Sequence, residues 1–163
     1  MTTTIPFTVL SFNNKTGFHL SLKLSINGKT AHLILDTGAS STVFDKKRIT
    51  KLVGVKNLNK NKNAIRGIGK KMMDLHTTIF KKIKIGDITI KDYKANLIDL
   101  SHVNAAYAAT GIPTIDGVLG NDILYNYNAV INYKKATLKL TEKTIKKSTA
   151  KKILKLTSKK AKK

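Results

Sequence analysis

The chain has 163 residues, of which 31 are Lys or Arg and 9 are Asp or Glu, so its formal net charge is +22. This length suits one domain with one core, and an apolar content of 41% excludes disorder throughout. Without cysteine there is no disulfide, thiolate nucleophile or cysteine-ligated metal centre. No apolar run approaches the roughly 20 residues of a membrane span, and the N-terminus lacks a signal-peptide pattern. We therefore expect a cytoplasmic protein.

The positive charge has two candidate origins. A basic balance is typical of nucleic-acid-binding proteins, but 29 of the 31 basic residues are Lys, whereas Arg is favoured for bidentate contacts with phosphates and guanines. A biased genome produces the same excess of Lys. Residues 143–163 hold ten Lys and no acid, which leaves +12 on residues 1–142. The tail therefore suits nucleic acid or an anionic surface, and the body is only moderately basic.

In chain order, the first half of the sequence is predicted to form strands. An apolar run at residues 5–10 is the first, and residues 18–26 alternate strictly between apolar and polar, which indicates a half-buried strand. Asn27-Gly28 follows, a strong hairpin signal, and residues 30–35 are the returning strand. That strand becomes continuously apolar as it reaches Asp36.

The remaining elements are short. Residues 42–44 form a strand, and Asp45 is predicted to N-cap one or two helical turns. Gly86-Asp87 marks a second hairpin, and residues 93–100 a further strand. We predict an irregular connection with an Ala-rich centre at residues 101–114. A short helix at residues 121–124 and paired strands at 129–133 and 136–140 complete a mainly β body.

Asp36-Thr37-Gly38 is the strongest chemical signal. Leu33-Ile34-Leu35 brings the carboxylate to the end of a buried strand, and Gly38 permits a tight turn there. With a second Asp opposite, one proton could be shared, so that one carboxylate acts as a base on water and the other as an acid towards a carbonyl oxygen. Alone, however, an Asp-Thr-Gly tripeptide is weak support for such a site.

Four features in order resemble the retropepsin-like aspartic proteases, over roughly residues 18–140. The first is the hairpin that leads into residues 33–40, and the second is the Gly-flanked Gly67-Ile68-Gly69. The third is the segment 115–120, ending Val-Leu-Gly, and the fourth is the short helix at 121–124 with its closing strands. The resemblance implies an all-β acid-protease barrel with a flap hairpin and one short helix, and an active site at a homodimer interface.

The resemblance also implies a role for each matching residue. Asp36 is the expected catalytic carboxylate, and Thr37 is expected to bond across the subunit boundary. Gly38, Ala39 and Ser40 complete the active-site loop. Gly67, Ile68 and Gly69 are expected to form the flap that closes over substrate, the alternative being an ordinary glycine-rich hairpin tip. Asp116, which is followed by Gly-Val rather than Thr-Gly, is expected to be structural.

One Asp-Thr-Gly in the chain implies a symmetric homodimer with one Asp36 from each subunit. Ser40 and Asn121 depart from retroviral patterns, which usually have Asp and Arg there. The ion pair that braces those enzymes is therefore missing, which bears on the strength of the dimer. The basic extension at the C-terminus is a third departure.

The sequence therefore predicts an aspartic endopeptidase that hydrolyses polypeptides without metal or cofactor, and whose activity declines at alkaline pH when both carboxylates ionise. We predict an N-terminal strand or extension at residues 1–17, the protease domain at 18–142 and a Lys-rich tail at 143–163. Two alternatives remain: a binding module that keeps the protease fold with little catalysis, and a nucleic-acid-associated protein that acts through its tail.

Overall fold

The computed structural model describes residues 1–12, 17–55, 58–60, 65–66 and 72–143. Within these ranges strands predominate, which confirms the all-β class. The strands are β1 (Thr2–Pro6), β2 (Thr8–Phe12), β3 (Gly17–Ile26), β4 (Lys29–Leu35), β5 (Val43–Asp45), β6 (Asn59–Lys60), β7 (Ile65–Arg66), β8 (Met72–Met73), β9 (His76–Ile85), β10 (Ile88–Ile98), β11 (Gly117–Leu119), β12 (Val130–Asn132) and β13 (Thr137–Thr141). The helices are α1 (Lys46–Val53), α2 (Ser101–Ala109) and α3 (Asn121–Leu124).

Six strands close into a barrel in the order β3-β4-β11-β5-β10-β9, because β9 pairs back onto β3 through Ser25 opposite Lys84. β2 extends the sheet beyond β3, and β6 extends it beyond β9. Alternate side chains of these strands fill the interior. The fully buried rings of Phe44 and Phe80 meet edge to face there, with centroids 5.1 Å apart. A packed, closed barrel is a rigid support for the loops at its ends.

Both predicted hairpins are confirmed. Asn27 and Gly28 have φ values of 49° and 86°, and Ile26 lies opposite Lys29, as a two-residue turn with positive φ at both positions requires. The second hairpin turns at Gly86, where φ is 57°. Its return strand β10 is continuous, so the strand predicted at residues 93–100 is the far part of a longer one that begins at Ile88.

A three-stranded sheet in the order β1-β13-β12 brings the two ends of the body together. The single strand predicted at residues 5–10 is in fact two strands in different sheets. The chain passes from one sheet to the other at Phe7, whose N–H donates to the Ala136 carbonyl at 2.9 Å, and β2 then pairs with β3. The boundaries predicted for the domain and tail stay a prediction.

The described residues contain three helices, whereas the resemblance implied one short helix and the sequence pattern added one or two helical turns after Asp45. α3 lies where predicted, and α1 begins at the predicted N-cap, Asp45, which accepts the Arg48 N–H at 2.7 Å. α2 replaces part of the irregular connection predicted at 101–114. It docks through the buried Asn104, whose amide bonds both the N–H and the carbonyl of Ile115. None of the described helices is long and apolar enough to cross a membrane.

Candidate active site

Asp36 lies at the end of a buried pair of parallel strands. Leu119 of β11 lies opposite Leu35 of β4, and the Asp36 N–H continues the ladder by donating to the Leu119 carbonyl at 3.1 Å. The three residues before Asp36 are buried, but Asp36 itself is exposed. The strand pair thus holds the backbone of Asp36 firmly while its carboxylate stays accessible.

The loop after Asp36 orients the carboxylate. The Gly38 N–H donates to Oδ1 of Asp36 at 2.8 Å, and the Ala39 N–H donates to the Asp36 carbonyl at 3.3 Å. A Cβ atom at Gly38 would lie 3.2 Å from that Oδ1, closer than side chains normally approach. Glycine at this position therefore lets the backbone amide reach the carboxylate without crowding it.

The first residue of α3 holds this loop in place through hydrogen bonds. The Asn121 side-chain amide donates to the Thr37 carbonyl at 2.6 Å, and the Asn121 N–H donates to the Ala39 carbonyl at 2.8 Å. A Cβ atom at Gly120 would lie 2.6 Å from the carbonyl carbon of Ser41. Asn121 occupies the position where retroviral enzymes usually have Arg, and it braces the loop within its own chain. Ser40 is exposed beside it.

A buried network beneath the loop was not predicted from the sequence. Thr42 is fully buried, and both its N–H and its hydroxyl donate to Oδ1 of Asp122 at 2.7 Å. Its hydroxyl oxygen also accepts the Gly120 N–H at 2.9 Å, and the Tyr93 hydroxyl donates to Oδ2 of Asp122 at 2.7 Å. The network joins the start of β5, β10 and α3. Of this network, the sequence indicated only an acidic residue, Asp122, in the first turn of the predicted helix.

Tyr107 of α2 brings a further group close to Asp36. Its hydroxyl lies 2.6 Å from Nδ1 of His19, and the two rings have centroids 5.7 Å apart. Burial raises the pKa of the Tyr107 phenol above its usual value, and the negative charge of Asp36 raises it further. His19 and Asp36 also line one cavity of about 240 Å³. The unpredicted helix α2 thus contributes to the surroundings of the carboxylate.

Asp116 has a structural position. It is buried, its Oδ1 forms an ion pair with Nε of Arg48 at 2.7 Å, and its Oδ2 accepts the His32 N–H at 2.9 Å. Both oxygens are thus engaged by groups of α1 and β4. Asp116 therefore differs from Asp36, whose carboxylate is exposed.

The sequence match now decides the family. The family model described as aspartyl protease matches residues 22–123, more than half of the chain, and the match contains the Asp36 loop and the start of α3. The chain belongs to the aspartyl protease family. No curated protein matches it.

Solved structures show that the aspartyl protease fold of this chain is retropepsin-like. A retropepsin-like aspartic protease from Rickettsia conorii superposes with a TM-score of 0.51 at 17% identity, covering 87% of this chain and 94% of that one. EIAV protease in complex with the inhibitor HBY-793 superposes with a TM-score of 0.52 at 22% identity, covering 76% of this chain and 99% of that one. The retroviral protease-like domain of Ddi1 from Leishmania major superposes with a TM-score of 0.51 at 14% identity, covering 75% of this chain and 87% of that one. At these identities the likeness concerns the fold.

The flap predicted for this chain, Gly67-Ile68-Gly69, lies outside the described residues. The strands on either side of it are described, and they pair antiparallel, with Ile65 opposite Met73 and Arg66 opposite Met72. The flap itself stays a prediction.

The Tyr93 phenol makes the stability of this member of the aspartyl protease family depend on pH in the alkaline range. Burial, followed by the hydrogen bond to Asp122, raises the pKa of Tyr93 above its usual value of 10. Below pH 10 the phenol is protonated in both states and its contribution is complete. Above pH 10 the unfolded phenol loses its proton first, so stability is lost as pH rises, by up to about 1.4 kcal/mol per pH unit.

We therefore expect Tyr93→Phe to reduce the loss of unfolding free energy between pH 10 and 12. Urea titrations at several pH values would measure it, with the exposed Tyr133 changed to Phe as the control. The prediction would be contradicted if the unfolding free energies of the wild type and Tyr93→Phe fell in parallel as the pH rises.

Proposed function

We propose that this chain is an aspartic endopeptidase that works as a homodimer, with Asp36 of each subunit forming the catalytic pair. The observation that carries the proposal is the exposed, backbone-oriented Asp36 carboxylate at the end of the β4–β11 ladder, in a chain of the aspartyl protease family. Polypeptides are the proposed substrate. Thr37 is proposed to bond across the subunit boundary, and Gly67, Ile68 and Gly69 to close over the substrate.

A second copy is required because the mechanism needs two carboxylates. Asp-Thr-Gly occurs once in the sequence, and the two oxygens of Asp116 are already engaged by Arg48 and His32. A two-fold axis through the loop would bring two Asp36 side chains together. Since two adjacent carboxylates resist ionising together, the pair would hold one proton between them.

The chemistry then follows from one shared proton. The ionised Asp36 takes a proton from a water molecule, whose oxygen attacks the peptide carbonyl carbon. The protonated Asp36 gives its proton to the carbonyl oxygen, so the intermediate is an uncharged diol. When the carbon–nitrogen bond breaks, the nitrogen receives a proton from one carboxyl group and the other takes back a hydroxyl proton. The pair returns to its starting state with one shared proton.

The surface around the loop supports contact with a second copy. Phe18 and Tyr133, with exposed fractions of 59% and 72%, line the same cavity as Asp36 and Thr37. Tyr125 is 74% exposed and lines a second cavity that Thr37 also lines, together with the residues that flank Val130. Large exposed apolar side chains grouped in this way are typical of protein interfaces.

Digestion of an unbiased peptide mixture between pH 4 and 7, read by mass spectrometry, tests the proposal. We expect cleavage with a defined side-chain preference and a specific activity that rises with protein concentration until the dimer is fully formed. Absence of cleavage at concentrations where sedimentation shows a dimer would overturn the enzymatic proposal and favour the binding module.

The interface can be tested through Val130, which is 57% exposed on the outer strand β12. We expect Val130→Lys to weaken the dimer at least tenfold, because a charge would be buried in an apolar contact. Specific activity would fall at low concentration and recover at high concentration. Ile79→Lys is the matched control, because Ile79 is 65% exposed on β9. Equal sedimentation of both variants and the wild type would place the interface elsewhere.

A further inference from the structure

The outer face of the barrel carries four neighbouring lysines, Lys23, Lys82, Lys84 and Lys91, which we call the lysine face. Lys82 of β9 lies directly opposite Lys91 of β10. Lys84 lies opposite Ser25 of β3, and Lys23 precedes Ser25 by two residues on the same side of that strand. Adjacent strands are about 4.8 Å apart and residues two apart on a strand about 7 Å, so these side chains form one surface.

The charge of the lysine face is uncompensated. All four lysines are exposed. None of them takes part in an ion pair of the described residues, where the cations are Lys47, Arg48, Lys60 and the N-terminal amino group. β3 and β9 contain no acidic residue, and β10 contains only Asp92. Asp87 in the hairpin turn exchanges hydrogen bonds with Thr3. Like charges directly opposite on paired strands are destabilising, so Lys82 and Lys91 weaken the sheet they belong to.

General lysine richness does not account for this arrangement. The acids that form ion pairs with basic side chains in the described residues engage Lys47 and Arg48 of α1 and Lys60 of β6, and none of them pairs with the lysine face. Asp92, which directly follows Lys91, is also absent from the ion pairs of the described residues. A surface that keeps one sign of charge at some cost in stability is suited to a partner of the opposite sign.

We propose that the lysine face binds the phosphate backbone of nucleic acid without reading its bases. Lys supplies a flexible point charge suited to phosphate, and the residues directly opposite these lysines are Lys, Ser, Thr and His rather than Arg, Phe, Tyr or Trp. Ser25 and Thr89 lie beside Lys84, so this part of the surface lacks the bulky apolar side chains with which peripheral proteins enter a bilayer. The charge and its setting favour nucleic acid over a membrane.

The lysine face is distant from the catalytic loop. Lys23 lies opposite His32 on β4, and Asp36 follows His32 by four residues, which is about 13 Å along an extended strand. A bound nucleic acid would therefore leave Asp36 open to a peptide. The inference does not depend on peptidase activity and stands if that activity is absent.

The test measures binding of a labelled 20-base-pair DNA duplex by the full-length chain at several salt concentrations. One variant carries Lys82→Gln, Lys84→Gln and Lys91→Gln. Its matched control carries Lys134→Gln, Lys135→Gln and Lys139→Gln, three exposed lysines of the β12–β13 hairpin. Both variants lose the same charge and keep residues 143–163.

We expect the first variant to bind at least tenfold more weakly. The slope of log affinity against log salt should become shallower by 2 to 3, at about 0.9 for each phosphate that is no longer neutralised. The control should bind within twofold of the wild type. Thermal unfolding would confirm that both variants are folded.

Equal weakening of duplex binding in both variants, or unchanged binding in the first, would overturn the proposal. So would a first variant that no longer binds phosphatidylserine vesicles but keeps its affinity for the duplex, because the lysine face would then serve a membrane surface.

Discussion

Asp36→Asn is expected to lower peptide cleavage at least about a thousandfold while leaving the fold intact, since general acid–base groups contribute about 10² to 10⁴ and both subunits lose theirs. The amide has the size of the carboxylate and keeps an oxygen to accept the Gly38 N–H. Because Asp36 is exposed, the substitution leaves no buried group without its hydrogen-bond partner. What disappears is the group that accepts a proton from water. Initial rates on the preferred peptide measure the effect.

Asp92→Asn is the matched control. Asp92 is exposed on β10 with φ of 49°, a conformation that Asn adopts readily. The Asp92→Asn variant should therefore cleave the peptide at the rate of the wild type. Mixing equal amounts of wild-type and Asp36→Asn chains tests whether the subunits share the site. Random pairing into inactive mixed dimers would reduce the activity of the wild-type chains to about half. Full activity of Asp36→Asn would refute the catalytic assignment.

Asp122→Ala is expected to destabilise the fold by about 3 to 5 kcal/mol. Its carboxylate accepts the N–H and hydroxyl of Thr42 and the hydroxyl of Tyr93, all at 2.7 Å. Alanine would leave the buried Thr42 donors without their acceptor and open space beneath Gly120. Since the same network supports the loop of Asp36, peptidase activity should fall as well. Urea unfolding measures the loss of stability.

Graded variants separate this network from a general effect of removing an acid. Tyr93→Phe removes one of the three donors, so we expect a loss of about 1 kcal/mol. Asp74→Ala is the control, because Asp74 is 77% exposed and its oxygen lies 3.7 Å from Nζ of Lys60. An exposed ion pair of this kind contributes at most about 1 kcal/mol. Similar losses for Asp122→Ala and Asp74→Ala would show that the network contributes little.

The sequence predicted those parts of the structure that depend on nearby residues. Asn27 and Gly28 specify their turn by backbone preference, and Asp45 caps the helix that follows it by accepting the N–H of Arg48, three residues on. The position of Asp36 after a buried strand followed from three consecutive apolar residues. The continuity of β10 was missed because Asp92, with positive φ, and Tyr93 interrupt its alternation.

Features that depend on distant contacts were not predicted. Thr42 and Asp122 are 80 residues apart, and a single sequence contains no signal that joins them. The helix α2 lacks a wide apolar stripe, although Ala favours helices. It is held in place by Asn104 and Tyr107, which contact residues from the following loop and from β3. Local patterns therefore indicated the catalytic loop, whereas tertiary contacts supply its support.

The pairing of β1 with β13 affects the order of folding and assembly. Thr2 to Pro6 lie opposite Thr141 to Thr137 of the same chain, and the Glu142 N–H donates to the Met1 carbonyl at 2.9 Å. Each copy thus builds its terminal sheet from its own chain, without strands from another copy. Under the proposed function, a newly made or diluted subunit is a folded but inert molecule. Abundance alone would then switch proteolysis on, because two folded subunits need only meet.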